Sequence, residues 1–327
     1  RQRQMCIRDR SGWSSEKLEV IYRESNASAL MVIERGKVVV ALGDIYRRFK
    51  CHSIRKSFLS ALYGIHADLG AIDLDKTLRD LSIRDVVPLT ESERNARVRD
   101  LLKGRSGVYI PAGAETASMK AERPQRGSHE RDTFWYYNNW DFNVLGTIFE
   151  KEAGTDIFDD FHRRIAVPLE MEDFRTMDGT HDYSERDVSI HPSYPFKMSA
   201  RDMARFGQLY LQGGRWNGRQ IIPEDWIEKS TTSYSSIYGG KEGYGYLWYI
   251  VEDFNGTKMY YTAGTGGHYI AVLPANDVVI VVRADTYTSR YLRIRDELIE
   301  RILEAKVAEG GPNPKFVPQL APTDDLK

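Results

Sequence analysis

The chain has 327 residues, 41% of them hydrophobic and 28% charged, with a net charge of −1. That length buries a large core, as one big domain or two subdomains, and the near-zero charge gives no electrostatic case for a nucleic-acid or membrane-surface partner. The longest apolar β-like run, Val278-Val279-Ile280-Val281-Val282, is far too short to cross a bilayer.

Residues 1–10 stand apart. Met5-Cys6-Ile7-Arg8-Asp9-Arg10 reads as the translation of a transposon end used in sequencing-library preparation, so this stretch is expected to be non-native and is set aside. The natural start is then expected to be missing, and the compartment stays open between periplasmic or secreted and cytoplasmic. Without Cys6 only Cys51 remains, so no disulfide is expected.

Residues 14–25 pattern as a helix, and 28–34 and 37–43 as a β-hairpin split by Arg35-Gly36. A third strand is expected near 46–51. It leads into a helix that is apolar at Ile54, Phe58, Leu59, Leu62 and Ile65 and closes near Gly70. Arg97 to Lys103 reads as a helix, 111–132 as a long polar loop, and Asn143 to Gly154 and Ile157 to Leu169 as helices. Further helices are expected over 199–212 and from Pro223 to Thr231. From residue 244 the pattern turns to strands: Tyr244–Val251, Lys258–Tyr261, Tyr269–Pro274 and Val278–Arg283, with a last helix over 288–307. Strands at both ends and helices between them predict an α+β architecture, with one antiparallel sheet built from N- and C-terminal segments and flanked by helices. A single domain is expected over 11–306. Its α/β part covers 11–66 and 196–306, a mostly helical insertion covers 67–195, and 307–327 form a loose tail.

Ser53-Ile54-Arg55-Lys56 carries the most chemistry. Ser and Lys three apart share a helix face and can exchange a proton. A Ser at a helix start also feels unpaired N–H groups that favour developing negative charge. A buried lysine can take the hydroxyl proton that keeps serine a poor nucleophile. By spacing alone Ser53 reads equally as a helix cap. Ser14-Ser15-Glu16-Lys17 repeats the spacing in a polar helix and is read as coincidence.

The remaining motifs fall in order behind it. Val98-Arg99-Asp100-Leu101-Leu102-Lys103-Gly104-Arg105-Ser106-Gly107 comes first. Tyr137-Asn138-Asn139 follows, with Val144-Leu145-Gly146 after it, then Met198-Ser199-Ala200-Arg201-Asp202-Met203-Ala204-Arg205-Phe206-Gly207 and Gly264-Thr265-Gly266-Gly267. In this order and spacing, over roughly 28–305, the chain resembles the serine β-lactamase and penicillin-binding-protein superfamily, in its class C β-lactamase-related esterase and peptidase branch. The resemblance implies a β-lactamase/DD-peptidase-like fold. It implies Ser53 as nucleophile, with Lys56 and Tyr137 as a coupled base, either of which could hold the proton. Asn139 would hold the substrate carbonyl. The Gly264–Gly267 strand would line the site, with an N–H near Gly267 joining that of Ser53 at the oxyanion. Tyr136-Tyr137-Asn138 fits the motif as well, and the distance to Gly146 selects Tyr137. Taken alone, the aromatic run Phe134, Trp135, Tyr136, Tyr137 and Trp140 reads as core packing.

Gly264 stands where the family has Lys or His, which argues against efficient β-lactam hydrolysis and leaves ester or amide hydrolysis. His268 is the candidate partial substitute. The expected function is a serine hydrolase acting on a small-molecule ester or amide through an acyl-enzyme. The alternatives are a catalytically silent penicillin-recognising-type binding or sensor module, and a β-lactamase or D-alanyl-D-alanine carboxypeptidase. No Gly-x-Ser-x-Gly elbow and no His-Glu-x-x-His pair occurs, so neither an α/β-hydrolase triad nor a metal site is supported, and no cofactor is implied. Tyr244, Tyr246, Trp248 and Tyr249 read as sheet core or as groove lining.

Overall fold

The computed structural model describes residues 12–288 and 296–307. Helix α1 (Ser15–Ser25) opens it, capped by Ser14, whose Oγ accepts the Lys17 N–H at 3.3 Å. The second Ser-x-x-Lys spacing is therefore a helix cap. Strands β1 (Ala29–Glu34) and β2 (Lys37–Gly43) follow as a hairpin, its turn at Arg35 and Gly36 with φ of 51° and 71°. The strand expected at 46–51 shrinks to β3 (Phe49–Lys50), and a turn over His52–Ile54 leads into α2 (Arg55–Asp68).

The middle of the chain supplies α3 (Val98–Leu102), α4 (Ala117–Glu122), α5 (Asn139–Ala153) and α6 (Ile157–Phe161). The polar stretch 111–132 thus contains a short helix, and α5 starts four residues earlier than its apolar pattern, because Asn138 caps it. Helix α6 loosens into a π turn over His162–Ala166. Then come β4 (Lys197–Met198), α7 (Ala200–Leu211), the small hairpin β5 (Arg215–Trp216) and β6 (Arg219–Gln220), and α8 (Glu224–Ser230). The last strands are β7 (Ser235–Ile237), β8 (Glu242–Tyr244), β9 (Tyr249–Phe254), β10 (Thr257–Gly264), β11 (His268–Leu273) and β12 (Val278–Arg283). Helix α9 (Asp296–Glu304) ends the described part. The set-aside residues 1–10 and the tail from 308 lie outside the described residues.

Eight strands form one antiparallel sheet in the order β2-β1-β12-β11-β10-β9-β8-β7. The two ends of the chain meet at β1 and β12, with Val32 opposite Ile280. Every residue of β12 is buried, which explains its unbroken apolar run. One face packs on α1 and α9, through Leu18, Ile21, Ile299 and Ile302. The other packs on α7 and the larger core. β3 pairs with β4 outside this sheet. Arg283, buried at the end of β12, donates to the Phe49 carbonyl at 2.8 Å and ties the sheet to the segment before Ser53.

Helix α2 is buried along nearly its whole length, as its apolar residues on several faces require. Phe58, Leu59 and Leu62 are fully buried, and truncating any one of them to Ala costs about 2–5 kcal/mol. Its small polar residues also have a place. Ser57 Oγ and Ser60 Oγ each donate, at 2.7 Å, to the carbonyls of Leu247 and Tyr246. Those carbonyls belong to the turn that splits the expected strand Tyr244–Val251 into β8 and β9. Tyr244, Tyr246 and Trp248 are consequently buried.

Candidate active site

Ser53 sits in the turn between β3 and α2, at the N-terminal end of a 14-residue helix. Its neighbour His52 has φ 51°, a left-handed backbone that a non-glycine residue keeps only when its surroundings enforce it. His52 hydrogen-bonds Thr286 Oγ1 at 2.9 Å and stacks on His268 at 5.4 Å between ring centroids. Burial pushes the His52 pKa down to about 4, helped by the charges of Lys50 and Arg283.

Lys56 follows one helical turn on. Its Nζ donates to Ser53 Oγ at 2.9 Å and to the Tyr137 hydroxyl at 2.8 Å. Burial, then the neighbouring Arg55 charge, hold the amine well below the ordinary lysine value. Burial also pushes the Tyr137 phenol up to about 12, against the opposing pull of its Ser53 hydrogen bond and of Arg55. Tyr136 is placed differently. Its hydroxyl donates to the Met119 carbonyl at 2.6 Å and so anchors α4.

Tyr137 is held by residues that the motif reading passed over. Asn138 Oδ1 accepts the Trp140 N–H at 3.2 Å, while its Nδ2 donates to the Val108 carbonyl at 2.8 Å and to Asp141 Oδ1 at 2.9 Å. Ser106 Oγ donates to the same carboxylate at 2.5 Å. The Ser106-Gly107 segment and the tyrosine loop are thereby fastened together. The signal in the sequence was an Asn followed at three residues by an Asp, the pattern of a helix cap.

Asn139 is buried and donates through Nδ2 to the Ala114 carbonyl at 2.7 Å. Its Oδ1 has no partner among the described residues, and the side chain does not line the cleft. Gly264 ends β10 against the Ser53 turn. A Cβ there would lie 2.4 Å from the Cys51 carbonyl oxygen and 3.2 Å from His52 Cβ. Gly266 and Gly267, at φ 92° and 93°, make the turn to β11. The Gly267 N–H is taken up in that turn, donating to the Gly264 carbonyl at 3.1 Å, so it is not a free oxyanion donor. Among the described residues the N–H groups of Ser53 and Thr265 find no acceptor, and both residues line the cleft.

His268 does not replace the missing cation. It is fully buried behind His52, its Nδ1 accepts the Ala284 N–H at 3.3 Å, and burial and then the Arg283 charge drive its pKa far down. A neutral imidazole outside the cleft has no charge to offer a substrate.

The cleft over Ser53 holds about 610 Å³ and is walled by aromatic rings, among them Trp135, Tyr136, Tyr238 and Tyr249. Among the described residues its lining has one carboxylate, Glu122, one imidazole, His129, and no lysine or arginine. Elsewhere, Glu150, Asp156 and His181 bring ligand-type atoms within 4.8 Å of one another. They are engaged as an ion-pair cluster. His181 Nε2 lies 2.9 Å from Glu150, whose hydrogen bond and charge raise the imidazole pKa, and Asp156 caps α6. Among the described residues no helix is long and apolar enough to cross a membrane.

The beta-lactamase sequence profile matches residues 22–304. The fold is similar to a putative 6-aminohexanoate-dimer hydrolase from Bacillus anthracis, at 20% identity and TM-score 0.66, covering 88% of this chain and 80% of that one. It is similar to a D-stereospecific amidohydrolase from a Streptomyces species, at 18% identity and TM-score 0.61, covering 89% and 96%. A penicillin-binding protein homologue from Pyrococcus abyssi matches at 19% identity and TM-score 0.62, covering 85% and 73%. No curated protein matches the chain. These likenesses show a β-lactamase/DD-peptidase-like α+β fold, and the profile match shows that the chain belongs to the beta-lactamase family.

Proposed function

We propose that the protein is a serine hydrolase that cleaves a small-molecule ester or amide through an acyl-enzyme on Ser53. The observation that carries this is the lysine bridge, with one buried amine within 2.9 Å of both a serine hydroxyl and a tyrosine hydroxyl. A neutral Lys56 takes the Ser53 proton as Oγ attacks the carbonyl carbon. The tetrahedral oxyanion sits between the N–H groups of Ser53 and Thr265, where one such donor is worth roughly 3–4 kcal/mol of barrier. The proton then passes through Tyr137 to the leaving oxygen or nitrogen, and the carbonyl–leaving-group bond breaks. Water, deprotonated by the same pair, attacks the acyl-enzyme and frees Ser53.

The aromatic walls suit an apolar or aromatic substrate group. Among the described residues the lining offers a substrate carboxylate no lysine or arginine, only the His129 imidazole, and it carries the Glu122 carboxylate, which disfavours such a substrate. This supports esters and amides without a carboxylate over β-lactams and peptide C-termini. A fluorophosphonate probe tests the nucleophile. Wild type should be labelled and Ser53→Ala should not, and an unlabelled wild type would leave the silent binding module as the better reading. Comparing a p-nitrophenyl ester with a chromogenic cephalosporin tests the substrate class, and faster cephalosporin turnover would overturn it.

A further inference from the structure

Two cationic side chains from consecutive residues are buried together, Arg55 at 5% and Lys56 at 3% exposure. Neither has a carboxylate within ion-pair distance among the described residues, and the side chains they hydrogen-bond are an amide and two hydroxyls. Arg55 donates to Asn143 Oδ1 at 3.1 Å and its guanidinium lies 4.0 Å over the Tyr194 ring. Its second terminal nitrogen is buried with no partner among the described residues. Asn143 cannot turn away, because its Nδ2 donates to the Gly113 carbonyl at 3.1 Å. Arg55 is thus clamped between α5 and the Tyr194 segment, away from the cleft lining.

We propose that Arg55 is a positioning residue that keeps Lys56 in the uncharged form needed to take the Ser53 proton. This rests on the acyl-enzyme reading. An arginine does not give up its proton inside a protein. Arg55 bonds Asn143 while the Lys56 amine lies over the ring of Phe142, the residue before it, so two buried cations without an ion-pair partner among the described residues would sit on neighbouring positions of one helix; in a dry interior they repel, and the titratable member of the pair yields. The groups facing Lys56 are the hydroxyls of Ser53 and Tyr137 and the ring of Phe142, whose centroid lies 4.8 Å from Nζ. The Tyr137 and Phe142 rings favour an ammonium, but they act against both full burial and a fixed neighbouring charge. Asp182 feels the charges of Lys50 and Arg55 from farther off, without an ion pair to either among the described residues. His52, across the turn, is itself held neutral. The two inner residues of Ser53-Ile54-Arg55-Lys56 therefore play different parts. Ile54 packs into the core, while Arg55 sets the charge state of the residue after it.

The pH dependence of Ser53 acylation by a fluorophosphonate tests this and needs no knowledge of the substrate. With Arg55→Met the acid limb should move up by about one pH unit or more, so that the rate at neutral pH falls about tenfold or more and recovers in alkaline buffer. Arg55→Gln can keep a donor toward Asn143 without the charge and should shift the limb the same way, which covers failure of the methionine variant to fold. A folded variant of either kind with the wild-type limb would overturn the role of Arg55 and leave the nucleophile assignment standing. A wild type that takes no label would overturn both.

Discussion

Gly264 approaches Cys51 so closely that a single added carbon would lie 2.4 Å from the Cys51 carbonyl oxygen. Strand β10 therefore runs hard against the turn that presents Ser53, and position 264 has no room for a side chain. At Gly264, β10 and the Ser53 turn meet backbone to backbone.

Gly264→Ala and Gly264→Lys should both fail. The new Cβ must displace the Cys51 carbonyl and with it Ser53, and a misplacement near 1 Å costs about 100-fold in rate. Fluorophosphonate labelling rates should fall by roughly that factor, and Gly264→Lys should gain no cephalosporin turnover. A lysine variant that labels normally would show that the turn yields more easily than its packing implies.

Tyr137→Phe and Tyr136→Phe should separate cleanly. Only Tyr137 shares a hydrogen bond with Lys56. Its loss removes a proton-transfer partner, expected to lower kcat by about 100-fold or more. Tyr136 loses a bond to the Met119 carbonyl, which loosens α4 beside the cleft. That change should appear in KM, with kcat altered less than about tenfold. The steady-state constants of an ester substrate distinguish the two.

Lys56 should make the fold's stability depend on alkaline pH. Its folded-state pKa lies below that of the unfolded chain, so below the unfolded value the native state binds fewer protons than the unfolded one. Stability then rises with pH through the window between the two values. Comparing Tm of wild type and Lys56→Met at about pH 7 and about pH 10, the latter close to the unfolded lysine value, isolates this residue. The difference should move in favour of wild type at the higher pH. A constant offset would contradict a neutral Lys56.

The stacked pair His52 and His268 should limit the acid side. Both are held below the ordinary histidine value, His52 at about 4. As pH falls through about 6.5 the unfolded chain takes up protons that the native pair refuses, so stability drops from there toward about pH 4. A His52→Gln, His268→Gln variant should lose less Tm between about pH 7.5 and about pH 5 than wild type. Parallel losses would place the acid sensitivity elsewhere.

Much of the fold was legible because its signals are local. The hairpin at Arg35-Gly36, the helices beginning near residues 14 and 199, and the apolar strands on both ends all follow from short-range patterns, and distant strands with apolar faces had to meet in one sheet. The illegible parts depend on contacts between distant segments. The turn at 245–248 exists because Ser57 and Ser60 supply donors to its carbonyls. β3 leaves the main sheet because it pairs with β4. Asn139 bonds a loop carbonyl and His268 sits behind His52, and neither placement has a signature in neighbouring residues.

The amino-acid sequence by itself determined the family and the Ser53–Lys56 pairing on one helix face. A serine and a lysine one turn apart on an apolar helix must share a face and a dry setting, and the ordered motifs behind them marked the family. Only the tertiary structure decided which tyrosine meets that lysine, which N–H groups stay unpaired on the cleft, and that Gly264 admits no side chain. Those outcomes turn on distances of a few ångströms between segments many residues apart, set by how β10, α5 and the Ser53 turn pack together.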